Sequence, residues 1–165
     1  MMKEKLLTLI DLELKNLDTL NLSFPSWIDK PAYLQTYRAE WVTGPKGIEK
    51  PDPKMRSYTY LNFDLTFADG KPEVKVKTNF SWTDDEVIIK KNWFKQSVYR
   101  QFRKVQVEYE IVCGHINVKL TQEEADTLRD KVSSAYDLLI KHKKEMKEKR
   151  TLEKIEARIA KHNEK

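Results

Sequence analysis

An α+β fold is predicted for this sequence: a single antiparallel sheet of about five strands, packed with helices and followed by a long C-terminal helix. Three features predict it. An N-terminal segment repeats apolar residues at helical spacing, a central stretch alternates them at strand spacing around an Asp-Gly turn, and a second helical pattern opens at a capping box on Thr121. At 165 residues the chain has the length of one domain. The patterns divide it into an α+β domain of residues 1–140 and a charged helical extension of residues 141–165. About a quarter of the residues are Leu, Ile, Val or Phe, enough to bury a core. Four Gly and six Pro exclude a collagen or low-complexity chain, and a single Cys excludes a disulfide framework or a four-thiolate zinc site. No apolar run approaches the roughly 18 residues of a membrane helix. The N-terminal apolar run ends at Asp11, too early for a signal peptide. With a lone thiol suited to a reducing compartment, these features lead to the expectation of a cytoplasmic protein with no cofactor and no metal.

Residues 3–20 place Leu6, Ile10, Leu14 and Leu17 on one helical stripe, widened by Leu7, Leu9 and Leu20. Phe24-Pro25 ends that pattern. Residues 33–43 alternate loosely as a strand, and residues 44–54, with three Pro and two Gly, read as a long loop. In residues 57–67 the odd positions Leu61, Phe63, Leu65 and Phe67 are apolar; in residues 74–82 the even ones are. Asp69-Gly70 between them suits a two-residue hairpin turn, which sets Phe63 opposite Val76, Leu65 opposite Val74 and Leu61 opposite Thr78. Thr83-Asp84-Asp85-Glu86 has capping-box spacing, and from Asn92 onward Phe94, Val98, Phe102 and Val105 fall on one side of a helix. Residues 105–113 alternate again, Gly114-His115 turns the chain, and Ile116, Val118 and Leu120 make a return strand. The final helix carries Ala125, Leu128, Val132, Ala135 and Leu139 on one stripe, and its apolar content collapses beyond residue 140.

Charge is unevenly placed. The net +5 arises from 31 basic and 26 acidic residues, and residues 139–165 alone hold ten Lys/Arg against five Glu. Within the neutral remainder, residues 90–104 carry six basic residues and no acid. As a helix, this element would group Trp93, Arg100, Arg103 and Lys104 into a face that grips phosphates and stacks on bases, and Lys95 of the same element is a further candidate contact. The outward side of the hairpin presents Tyr58, Tyr60, Asn62, Asp64, Lys75 and Lys77. That set would serve as a stacking platform or partner surface, although a covering helix or simple cross-strand pairing accounts for the tyrosines better. In the tail, Lys141, Lys143, Lys144, Lys147, Lys149 and Arg150 could contact nucleic acid, but partner contact or a merely solvated charged helix ranks slightly ahead, because five Glu dilute the charge.

Enzymatic signatures are sparse. Cys113-Gly114-His115 brings a thiol near an imidazole but implies no third orienting group, so a buried strand-end Cys is the better reading. Glu73-Val74-Lys75, with Asp64 opposite Lys75 and Asp52 in the loop, resembles the acid-x-Lys element of the PD-(D/E)XK nuclease superfamily. The helix, three strands, helix and strand are similar to that superfamily's core. The resemblance implies a Mg²⁺ site at the carboxylates and a water-orienting role for Lys75. The order also echoes double-stranded-RNA-binding domains, but Lys90-Lys91 is followed by Asn-Trp-Phe instead of that family's small residues. The leading expectation is a non-enzymatic nucleic-acid or nucleoprotein-binding accessory protein. A protein-binding regulator or inhibitor of a host complex, of phage or mobile-element type, comes second. A metal-dependent nuclease comes third.

Overall fold

The computed structural model describes the backbone of residues 2–45, 47–67, 73–91 and 97–164, and the side chains of these except at 47–53, 88–91 and 97. The elements run α1 (Met2–Lys15), β1 (Leu22–Ser23), β2 (Ala32–Gly44), β3 (Gly47–Thr66), β4 (Glu73–Lys91), β5 (Ser97–Cys113), β6 (Ile116–Leu120) and α2 (Gln122–Asn163). The expected α+β class holds, with six antiparallel strands in place of about five.

The hairpin forms in the expected register, with Phe63 opposite Val76 and Leu65 opposite Val74; its turn at Asp69-Gly70 lies outside the described residues. At Leu61 the backbone ladder gives way to a side chain. The Leu61 N–H donates to Thr78 Oγ1 (2.7 Å), and that hydroxyl donates to the Leu61 carbonyl (2.8 Å). Beyond this point β3 pairs on its other edge with β2, while β4 pairs with β5, and β2 returns to β5, so the four long strands pair in a ring. Two seams of the ring are laddered at one end only: β3–β4 over residues 62–66 and 73–77, and β2–β5 over residues 40–43 and 99–102.

The largest departure from the sequence reading lies at residues 83–105. The expected capping box belongs to β4, and the helix expected from Asn92 is strand from Ser97 onward; residues 92–96 lie outside the described residues. Helical spacing at a few apolar positions is a weak local preference. It yields to an antiparallel ladder running from Val74 opposite Cys113 to Lys91 opposite Ser97. The acids that read as a cap oppose the bases that read as a helix face: Asp84 pairs with Arg103 across the strands. The long loop expected at 44–54 is likewise corrected. β2 and β3 continue through it, with Val42 opposite Lys50, Thr43 opposite Ile48 and Gly44 opposite Gly47, and with register shifts along the pair.

The core lies between one side of the sheet and the two helices. Leu61, Phe63, Leu65, Val74, Val76, Tyr109 and Ile111 meet Leu6, Ile10 and Leu14 of α1 and Ala125, Leu128, Val132 and Leu139 of α2. Three polar pairs, Lys3–Glu124, Asp11–Lys131 and Asp18–His142, advance together along both segments, so α1 runs parallel to the start of α2. The expected capping box on Thr121 is present, with Thr121 Oγ1 accepting from the Glu124 N–H and the Glu124 carboxylate accepting from the Thr121 N–H. Hydrogen bonds from Lys3 and from this backbone hold the Glu124 carboxyl below its ordinary value. Buried Thr59 ties β3 to α2, donating to Asp126 and accepting from Arg129 Nη1 at 3.0 Å. Cys113 is buried at the end of β5, and Gly114 makes the following turn with a φ of 58° that favours glycine.

Candidate nucleic-acid interface

Because residues 97–113 form a strand, the grouping expected on a helix face is dispersed. Arg100 and Lys104 alternate onto one face of β5 and Arg103 onto the other; Trp93 and Lys95 lie outside the described residues. Both arginines already have carboxylate partners. Arg100 Nε lies 3.0 Å from Glu40 Oε1, and Glu40 also holds Lys54 at 3.6 Å. Arg103 grips Asp84 with two hydrogen bonds, Nε to Oδ1 at 3.0 Å and Nη2 to Oδ2 at 3.3 Å. Its guanidinium also lies 5.9 Å from the Trp41 ring centre and 5.7 Å from that of Trp82. The Arg103 hydrogen bonds lower the Asp84 carboxyl below its ordinary range, and the same contact raises the guanidinium. A phosphate approaching either arginine competes with an anion already in place.

The hairpin face offers its tyrosines no open surface. Tyr58 and Tyr60 are buried, at 7% and 4% exposure, so they form no open stacking platform. Their cover comes from Ile28, Tyr33, Tyr37 and neighbouring residues of the ring, not from a helix. Tyr33 stacks on Tyr60 at 4.8 Å, and Tyr58 contacts Tyr37 and Phe80, each at 6.0 Å. Burial, followed by the neighbouring tyrosines, pushes the Tyr58 hydroxyl up. This aromatic row surfaces at its far end, where Phe80 and Trp82 stack at 5.6 Å and remain 43% and 54% exposed.

Lys75 stands opposite Asp64, as the nuclease reading requires, and Lys77 opposes Asn62. Burial raises the Asp64 carboxyl, partly offset by Lys75. Among the described residues, no group of three metal-ligating side chains assembles; the Asp52 side chain is outside them. The helix between strands on which the nuclease resemblance depends is strand β5.

The tail is built differently. Leu139 is the last buried residue of α2, yet the helix continues unbroken to Asn163. Every Lys and Arg from Lys141 to Lys161 is exposed, and among the described residues none of them has a carboxylate within ion-pair distance. Lys143, Lys147, Arg150, Lys154, Arg158 and Lys161 follow one another four, three, four, four and three residues apart. At 3.6 residues per turn they occupy an arc of about 80°. Glu145, Glu148, Glu153 and Glu156 all lie about 100° or more from the centre of that arc. Charge counting in the sequence left out Lys154, Arg158 and Lys161, which share this ridge. The signal that finds them is helical spacing. Lys141 and Lys149 fall off the ridge, and Lys144 flanks it. No helix among the described residues is long and apolar enough to cross a membrane. No protein-family model, curated protein or solved structure matches this chain.

Proposed function

We infer that this chain is a non-enzymatic nucleic-acid-binding accessory protein whose binding arm is α2 beyond Leu139. The observation that carries this reading is the single-sided ridge of six exposed cations on α2, unpaired among the described residues, set against Arg100 and Arg103 of the sheet, which Glu40 and Asp84 already occupy. Phosphate attraction scales with the cations free to displace counterions, and the arm sets six of them along one side of a single helix. The test is fluorescence anisotropy of labelled DNA and RNA with the full chain at low salt. Reversing Lys147 and Lys154 to Glu is expected to weaken binding by about tenfold or more, with the fold unchanged. Arg100→Gln is expected to leave affinity within about threefold, because its guanidinium serves Glu40. Absence of binding to any nucleic acid at low salt would reject the reading.

A second reading, a protein-binding regulator, draws support from the exposed Phe80–Trp82 stack beside Asp84, Asp85 and Glu86. Trp and Arg are the usual anchors of protein interfaces, and the acidic rim suits a partner with basic groups around an apolar centre. A partner retained by the native chain should be released by Trp82→Ser; equal retention by both chains counts against it.

A further inference from the structure

We propose that the α2 ridge binds double-stranded nucleic acid along the phosphates of one strand, without reading sequence. The inference rests on the assignment of α2 as the binding arm and names the form of nucleic acid that the arm takes.

Three features select a duplex. The ridge from Lys143 to Lys161 spans about 27 Å at 1.5 Å per residue, with its cations roughly 4.5–6 Å apart on a straight rod. A rod with cations on one side matches a partner whose charges are themselves held at fixed, regular spacing, as phosphates are along each strand of a duplex. Single strands are gripped chiefly by stacking on aromatic rings, and residues 137–165 contain no Phe, Tyr or Trp.

The acids determine how the helix lies. Glu145 and Glu156 sit on the side opposite the ridge, and Glu148 and Glu153 lie between. A helix sunk in the major groove has phosphate walls on both flanks, so one wall would face carboxylates. Lying along a single phosphate rail keeps those carboxylates toward solvent. Contacts are then confined to backbone phosphates, which position a protein but carry no base information. The same acids disfavour an anionic lipid surface. They flank the apolar stripe of Leu152, Ile155 and Ile159, so inserting that stripe would press Glu145, Glu148 and Glu156 against headgroups.

The test uses the full chain with 25-base-pair duplexes of two unrelated sequences, as DNA and as RNA, and with the matching single strands. If six cations engage, the logarithm of affinity for B-DNA falls with the logarithm of salt at a slope near −5, about a thousandfold between 50 and 200 mM. The two sequences should bind within about threefold of each other, and duplex more tightly than single strand. Lys147→Glu with Lys154→Glu should reduce the slope by about two. Lys141→Glu with Lys149→Glu, an identical change of net charge off the ridge, should leave it unchanged. Circular dichroism of both variants checks that the helix persists. Equal losses from the two pairs, or single strands binding as tightly as duplex, would overturn the duplex proposal while leaving nucleic-acid binding intact. Binding of polyglutamic acid as a cationic-surface probe, with no binding of any nucleic acid, would overturn both.

Discussion

Replacing Val132 with Asp is expected to abolish the stable fold at room temperature. Val132 is fully buried on the stripe by which the first half of α2 seals the sheet, and none of the described core residues clustered with it is basic. An uncompensated buried charge costs several kcal/mol. Domains of this size have only about 5–15 kcal/mol in hand. The expected readout is a cooperative urea transition in the native chain and a lost or far earlier one in the variant. Lys147→Glu, only fifteen positions further along the same helix, changes an exposed side chain and should leave the transition where it was. A Val132→Asp chain of native stability would mean that α2 does not pack on the sheet as described. The contrast separates the two parts of one helix: up to Leu139 it closes the core, and beyond it the helix is exposed.

Phe63→Ala should be the most damaging truncation within the sheet, lowering stability by about 3–5 kcal/mol. Among the described residues Phe63 is the largest fully buried side chain, in the middle of the apolar face that β3 turns toward the helices, opposite Val76. Removing the ring costs its transfer out of water and leaves a cavity that close-packed neighbours fill only in part. Leu34, 59% exposed on β2, provides the control: Leu34→Ala should change stability by no more than about 0.5 kcal/mol. Urea denaturation of the two variants measures both. A Phe63→Ala cost below about 1 kcal/mol would contradict the placement of the core.

The parts of this architecture that could be read from residues are those whose information is local. Two alternating runs around an Asp-Gly pair make the hairpin register legible, because a slip of one residue would turn Phe63 and Val76 to the wrong face. Thr121 and Glu124 satisfy each other's backbone within one helical turn, and that reciprocity is visible in four letters. Residues 83–105 carry no such uniqueness. Acids followed by bases suit a capped basic helix, and they suit equally two strands of opposite charge laid side by side. Only the long pairing of β4 with β5 decides between them. The partner of Arg100 is Glu40, sixty positions away, and the cover over Tyr58 and Tyr60 comes from Ile28, Tyr33 and Tyr37. Closing the ring through β2 and β5 is a non-local event without a local signature. The α2 ridge is the converse case. Its spacing was legible throughout, but a net charge sums over all sides of a helix and conceals their difference.

The claim that binding belongs to the arm and not to the sheet is tested most directly by lysine footprinting. The full chain is acetylated lightly with and without saturating duplex DNA, and the modification at each lysine is read by mass spectrometry. The account predicts strong protection of Lys143, Lys147, Lys154 and Lys161, with little change at Lys141 and Lys149 on the same helix. Lys75, Lys77 and Lys104 on the sheet should react as in the free protein. Protection concentrated at Lys75, Lys77 and Lys104, with the α2 lysines unchanged, would place the nucleic acid on the sheet and contradict the account.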